Sequence, residues 1–245
     1  MTRILLLAGT GEARQLAAAL GRLPRIAVIA SLAGATRTPQ TLGVPTRIGG
    51  FGGRAAFAEY LAHERIDGVL DATHPFARAI SCRSHAVCAE MGVPYAHVLR
   101  PAWRPGPQDR WVFLNDEGDA VRHISDGSTV FLATGRQTLH RFEGLRGSTL
   151  YARRIDGAPE TFPYPMGGWV TGRPPFEVED EMALFSRLGV EWLVVKNAGG
   201  SASRSKLDAA RRLGLPVAMI RRPPQPDALR LDSVAAAVLW ARRLG

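Results

Sequence analysis

Four short stretches bring together residue types that can do chemistry. Asp71-Ala72-Thr73-His74-Pro75-Phe76-Ala77 sets a carboxylate, a hydroxyl and an imidazole side by side, directly after the apolar run 68–70. His74 is the candidate proton donor, because imidazole titrates nearest neutrality; the alternative is a structural histidine near a helix start. Asp71 or Thr73 could equally cap that helix, with Pro75 in its first turn. Lys196, one of only two lysines, precedes Asn197-Ala198-Gly199-Gly200. An ammonium there can neutralise a phosphate or a substrate carboxylate, or be a solvated loop charge. Thr134-Gly135-Arg136 makes a comparable corner with a guanidinium. Gly9-Thr10-Gly11 is the fourth stretch. Its glycines let backbone N–H groups approach a phosphate, and the helix that follows offers its positive end. Arg14 stands where the dinucleotide fingerprint has a third glycine, so a plain tight turn is the alternative.

The elements that must position these residues follow from hydrophobic patterning. Residues 4–8 form a continuous apolar run, the mark of a strand buried on both faces. A helix is expected over 12–20, with Ala13, Leu16, Ala17 and Leu20 on one face. A second strand, 25–30, ends in Ala30-Ser31-Leu32-Ala33-Gly34. NAD sites place Asp or Glu at that point for the ribose 2′-hydroxyl. Here there is no acid, and Arg37 follows. A hydroxyl and an arginine suit a 2′-phosphate, so a dinucleotide bound here would be NADPH; the alternative is that both are ordinary loop residues. Gly49-Gly50-Phe51-Gly52-Gly53 implies flexibility or close approach to a ligand. Next come a helix (54–64), a strand (68–70), a helix (76–91) and a strand (93–98). A proline-rich stretch, 101–107, is expected to wrap the surface, and a strand (111–114) and a short helix (116–124) follow it.

The pattern then restarts. Strands are expected at 128–133, 150–155, 168–171, 191–195 and 217–220, with helices at 178–188, 203–213 and 234–244. The fold class is therefore α/β: two Rossmann-like parallel-sheet units, 1–125 and 126–245, with a ligand cleft between them. The first would bind nucleotide and the second would complete the cofactor and substrate site.

Composition narrows the function. The chain has 245 residues and 46% hydrophobic content, enough for a sizeable core, and its net charge is +9. No apolar run is long enough for a membrane helix. The N-terminus runs straight into a core strand, unlike a secretory leader, so a cytoplasmic protein is expected. Cys82 and Cys88 suit neither a disulfide nor a metal pattern and read as two reduced thiols. Of 31 basic residues 29 are arginines (31 − 2 lysines). Guanidinium excess points to an anionic partner. The arginines are scattered rather than clustered, which favours a small polyanion over nucleic acid.

Several enzyme classes fail on residues. There is no Tyr-x-x-x-Lys pair, no Gly-x-Ser-x-Gly elbow, no Gly-Lys-Ser/Thr phosphate loop and no zinc-ligand spacing. What remains is a two-unit α/β protein binding an anionic nucleotide, in keeping with a reductase.

Taken together, five segments resemble the precorrin-6A reductase family of cobalamin biosynthesis. They are Ile4-Leu-Leu-Leu-Ala-Gly-Thr-Gly-Glu-Ala-Arg14, residues 71–77, Thr134-Gly135-Arg136, Gly172-Arg-Pro-Pro-Phe176 and Lys196-Asn-Ala-Gly-Gly200. The resemblance spans essentially the whole chain; residues 71–77 are its most specific part, and Pro174 stands where the pattern has glycine. It implies an NADPH-dependent reductase delivering hydride to a conjugated position of the precorrin-6A macrocycle, giving precorrin-6B. It also implies a substrate bearing many carboxylates, and other corrin-pathway enzymes as partners. On this reading Gly9, Thr10 and Gly11 meet the pyrophosphate, and Ser31 and Arg37 the 2′-phosphate. Asp71, Ala72, Thr73 and His74 line the nicotinamide side. Thr134, Gly135, Arg136, Arg173 and Lys196 meet nicotinamide or substrate carboxylates. No metal is required. The proton comes from His74 or water. The alternative is a non-catalytic NADPH- or tetrapyrrole-binding protein.

Overall fold

The structure is a computed structural model that describes residues 1–34, 41–155 and 160–244. In chain order the regular elements begin with β1 (Thr2–Leu7), α1 (Gly11–Leu20), β2 (Ile26–Leu32), β3 (Thr46–Ile48) and α2 (Arg54–His63). Then come β4 (Gly68–Asp71), α3 (Arg78–Met91), β5 (Tyr95–Val98), β6 (Trp111–Leu114) and β7 (Thr129–Ala133). The chain continues through β8 (Thr149–Arg154), β9 (Gly167–Thr171), α4 (Val178–Leu188) and β10 (Trp192–Lys196). It closes with α5 (Ser205–Arg212), β11 (Val217–Ile220), β12 (Leu229–Leu231) and α6 (Val234–Arg242). Two 3₁₀ segments, Glu117–Arg122 and Arg136–Leu145, flank β7.

The strands form two six-stranded sheets, ordered β12-β5-β4-β1-β2-β3 and β6-β11-β10-β7-β8-β9. Every strand pairing is parallel. Each sheet follows the doubly wound order, in which the chain steps outward from a central strand first one way and then the other. The α/β class with two parallel-sheet units is therefore what the chain adopts.

The division between units differs from the expected boundary near residue 125. One unit comprises Met1–Pro101 with Pro223–Gly245, the other Ala102–Arg222. β6 follows β5 in sequence, yet it completes the second sheet by pairing with β11, Val217 opposite Trp111. The outermost strand of the first sheet is supplied instead by β12, which pairs with β5. Sequence reading assigned 111–124 to the first unit because chain neighbours are usually spatial neighbours; pairing across about a hundred residues leaves no local mark.

Burial explains the continuous apolar runs. The inner strands are covered on both faces, as parallel sheets require. In the first unit Ile4, Leu6 and Leu70 pack with Leu16, Leu20, Ala237 and Ala241. Leu5, Leu7 and Val69 pack on the opposite face with Phe57, Leu61 and Val87. In the second unit Phe131, Leu193 and Met219 pack with Phe185, Leu207 and Ala210. The edge strands β3 and β12 are only three residues long, mostly exposed, and each carries an arginine, which blunts them against further pairing. Their shortness also hid them from periodicity.

The proline-rich stretch does more than wrap the surface. Trp103 is buried in the second core, where its backbone N–H donates to Asn197 Oδ1 at 2.8 Å. Cys82 and Cys88 are free thiols, and burial, helped by the charge of Asp71, pushes Cys88 up to about 12.

Candidate functional site

In the first unit the carboxyl ends of β1, β2 and β4 stay locked together one residue beyond the strands. Ala8 N–H donates to Ser31 O at 2.9 Å, and Ala72 N–H donates to Leu7 O at 2.9 Å. Out of this edge rises the Gly9-Thr10-Gly11 turn. Gly9 has φ +153°, a conformation side chains disfavour. A Cβ at Gly9 or Gly11 would meet no heavy atom within 4 Å, so packing does not explain either glycine. Thr10 is the hinge pin of the corner. Its hydroxyl donates to Ala72 O at 2.8 Å and accepts the Ala13 N–H of the first turn of α1 at 3.2 Å. One side chain therefore fixes the glycine turn, the helix start and the end of β4.

The 71–77 stretch is organised by a buried carboxylate. Asp71 is fully buried. Its Oδ1 accepts from Thr73 N–H at 3.0 Å and from Thr73 Oγ1 at 2.7 Å, and its Oδ2 accepts from Tyr95 OH at 2.6 Å. Asp71 thus faces inward and supports the loop rather than presenting its carboxylate to a ligand. Neither it nor Thr73 caps the following helix, whose cap position is Ala77 without a side-chain bond. Ala72 and Thr73 are likewise buried. His74 is half-buried, and its Nδ1 accepts the Phe76 N–H at 3.3 Å. In the neutral ring that bond places the proton on Nε2. Gln225 Nε2 donates to Pro75 O at 3.0 Å and anchors the loop from the C-terminal segment.

Beyond β2 the structure places an arginine that sequence reading missed. Ser31 is buried and stands opposite Arg47 in the β2–β3 register. Arg47 Nη1 donates to Ser31 Oγ at 2.8 Å and to Gly49 O at 2.9 Å, and its Nη2 donates to Gly50 O at 3.0 Å. Its guanidinium lies over the Phe51 ring at 3.9 Å. The only sequence signal was adjacency to the Gly49–Gly53 cluster, because a three-residue strand after Pro45 has no readable period. Arg37, expected beside Ser31, lies outside the described residues.

In the second unit β7 and β10 are neighbours, and their carboxyl ends bring Thr134 and Lys196 to one edge. Gly135 adopts φ +79° and ψ +161°, a glycine conformation, and a Cβ there would meet nothing within 4 Å. Thr134 is buried, and its hydroxyl has no hydrogen-bond partner among the described residues. Arg136 is exposed, 3.8 Å from Glu160. Arg173 is exposed in the loop after β9.

Lys196 is half-buried rather than solvated. Its Nζ lies 3.2 Å from Glu117 Oε1 and donates to Thr138 Oγ1 at 3.0 Å. Glu117 is buried, and Arg141 approaches its other oxygen at 3.5 Å. Burial alone would raise the Glu117 carboxyl. Hydrogen bonds from Thr138 and the backbone, with the Lys196 charge, outweigh it and hold the group below its ordinary range. Glu117 was not singled out in sequence, where 116–124 read as a plain helix.

The loop after Lys196 is rigidly held. Asn197 Nδ2 donates to Trp103 O at 3.0 Å, and Trp103 Nε1 donates to Gly200 O at 2.7 Å. Arg222 donates to Asn197 O and Ala198 O at 2.8 and 2.9 Å. The Gly172–Phe176 loop is held from beneath, where Arg153 stacks under Phe176 at 4.1 Å and over Phe131 at 4.9 Å. Arg153 is itself paired to buried Glu181 by two bonds of 2.5 and 2.9 Å. Among the described residues no group of three or more His, Cys, Asp or Glu is placed to hold a metal ion.

Two doubly wound parallel sheets, each with an open glycine corner at the carboxyl end of its strands, define an α/β protein of the kind that takes ligands at strand ends. The chain belongs to the precorrin-6x reductase CbiJ/CobK family, whose model matches residues 3–242. It is 43% identical to the precorrin-6A reductase of Rhodococcus erythropolis, over 100% of this chain and 99% of that protein. It is 41% identical to the precorrin-6A reductase of Mycobacterium tuberculosis, again over 100% and 99%. Among solved structures, a CobK precorrin-6A reductase superposes with a TM-score of 0.95 at 37% identity, covering 100% of this chain and 98% of that one.

Proposed function

We propose that this protein is the NADPH-dependent reductase that converts precorrin-6A to precorrin-6B in cobalamin biosynthesis. The observation that carries the reading is similarity to precorrin-6A reductases at 41–43% identity over 100% of this chain and 99% of those proteins. A nicotinamide cofactor fits the residues present. The glycine corner at β1 leaves its backbone open to a pyrophosphate, with the α1 N-terminus behind it. β2 ends in Ser31-Leu32, without the acid that would repel a 2′-phosphate.

In this reading Gly9, Thr10 and Gly11 hold the pyrophosphate and Ser31 belongs to the 2′-phosphate subsite. The cofactor supplies a hydride when bound. The chain binds, orients and supplies the proton. Asp71 and Tyr95 hold the Thr73–His74 turn in place, and His74 offers the Nε2 proton to the reduced macrocycle. Thr134, Gly135 and Arg136 form the corner of the second unit, where the unpartnered Thr134 hydroxyl supports a polar ligand. Arg136 and Arg173 are exposed cations suited to carboxylate side chains. Lys196, already paired with Glu117, acts there as a fixed positive charge.

The test is anaerobic NADPH oxidation by the pure protein, with and without precorrin-6A, and with NADH as a control. Consumption only when both NADPH and the macrocycle are present is the expected result. NADPH binding without turnover would move the protein to the binding-only alternative.

A further inference from the structure

We infer that Glu117 and Asn197 are positioning residues for precorrin-6A reduction. Both act through Lys196, the cation that receives a carboxylate arm of the macrocycle: Glu117 fixes its ammonium and Asn197 its backbone. The inference rests on the reductase reading above and names what holds the binding cation in place. Sheet register brings the three residues together. Leu114 pairs with Ile220 and Ile220 with Lys196, so the last residues of β6, β11 and β10 form one row across the carboxyl edge. Glu117 follows shortly after Leu114, and Asn197 directly after Lys196. The long-range pairing of β6 is therefore what delivers Glu117 to this edge.

The side chain is set by a buried carboxylate. Lys196 Nζ lies 3.2 Å from Glu117 Oε1 and donates to Thr138 Oγ1 at 3.0 Å, and the Thr138 hydroxyl in turn bonds to Glu117. The lysine side chain is 15% exposed, against 48% for Arg136, so water screens its charge less than that of the other cation at this corner. Arg141 approaches the second Glu117 oxygen. Two cations thus share one carboxylate, and the group keeps a net charge of +1 (2 − 1 = 1). Val195 pairs with Ala133, so buried Thr134 follows at the same edge, its hydroxyl without a partner among the described residues. A net positive group beside an unmatched hydroxyl suits a carboxylate, which accepts hydrogen bonds from both.

The backbone is set by an amide. Asn197 is buried, and its side chain pairs with Trp103 as a neighbouring strand would. Oδ1 accepts the Trp103 N–H at 2.8 Å, and Nδ2 donates to Trp103 O at 3.0 Å. The Asn197 N–H donates to Ile220 O at 3.0 Å, and its carbonyl accepts from Arg222 Nε at 2.8 Å. Ala198 N–H closes the turn on Lys196 O at 2.6 Å. The residue after Lys196 is thereby tied both to the end of β11 and to the Trp103 segment, and the lysine cannot shift along the edge without breaking those bonds. A cation already ordered when its ligand arrives binds more tightly than one the ligand must order.

The test is steady-state kinetics of the full chain with NADPH and precorrin-6A, each varied in turn. Lys196→Met should raise the precorrin-6A KM roughly ten- to hundred-fold and leave the NADPH KM unchanged. Glu117→Gln keeps the shape and removes the charge. Asn197→Asp keeps the shape but carries only acceptors, which sets an oxygen against Trp103 O. Each should raise the precorrin-6A KM about two- to tenfold with kcat within about twofold. Neither should change that KM further in the Lys196→Met background, because both act through the lysine. If Asn197→Asp does not fold, Asn197→Ser removes the amide without adding a charge and takes its place. A precorrin-6A KM that stays level or falls in a folded variant would overturn the inference. So would a rise that persists in the Lys196→Met background, which would make these residues props of the fold, and so would Lys196→Met without effect. In all of those cases parent turnover that needs both NADPH and macrocycle leaves the reductase reading intact. A parent without turnover would overturn that reading and this inference together.

Discussion

Replacing Tyr95 with phenylalanine isolates the support beneath the 71–77 loop. The ring stays and only the hydroxyl is lost, so core packing changes little. The missing bond is the 2.6 Å contact to Asp71 Oδ2 inside the fully buried end of β4. Hydrogen bonds to an ionised acceptor contribute about 1.5–3 kcal/mol net. The longer contact to Ser81 O, at 3.4 Å, adds little. The two Thr73 bonds engage only Oδ1, so Oδ2 is left without a donor, and the upper half of that range is expected. Urea unfolding at pH 7 should show a lower midpoint at an unchanged slope, by roughly 1 M for a slope of about 2 kcal/mol/M. The pH dependence carries a sign. Burial, and then the Asp71 charge and hydrogen bond, raise the Tyr95 phenol well above the ordinary tyrosine range. A raised folded pKa contributes stability that is fully present below the unfolded value, about 10, and is lost as pH climbs beyond it. The gap between parent and variant should therefore be constant from pH 7 to about 9 and narrow above about 10. A variant within about 0.5 kcal/mol of the parent at pH 7 would refute the account of Asp71 as a carboxylate supported from this side.

Three further outcomes follow from the same reasoning. Burial lowers Lys206 to about 8, against the pull of Glu181. Its charged form is thus penalised in the fold, and parent stability should rise between about pH 8 and 10. Lys206→Met should abolish that rise and be no less stable at pH 7 in thermal unfolding; a clearly destabilised Met variant would reverse the sign. Arg153→Ala leaves buried Glu181 without its bidentate partner and should cost about 3–5 kcal/mol by chemical denaturation. Much of that loss should return when Glu181→Leu is combined with Arg153→Met, and a single-variant cost below about 1 kcal/mol would contradict the pairing. His74→Ala should lower kcat for precorrin-6A reduction rather than raise KM alone. Unchanged kcat would leave water as the donor.

What the sequence determined by itself was local. Apolar runs marked strands covered on both faces, and the 3.6-residue period marked the amphipathic helices. Glycine placement marked the corners at Gly9–Gly11 and Gly135, because those backbone conformations and close approaches depend on one residue type. Five segments taken together, residues 71–77 the most specific of them, carried the resemblance to the family. Only the tertiary structure decided which strands share a sheet, since β6 and β12 each pair with a partner far away in the chain. It also decided the direction of side chains at strand ends. Asp71 turns inward to Thr73 and Tyr95, and Lys196 meets Glu117. Arg47 meets Ser31 through a strand three residues long. Spacing along a chain reports which residues share a face of one element. It does not report which element lies beside it, because that is settled by burial and hydrogen bonding summed over the whole unit.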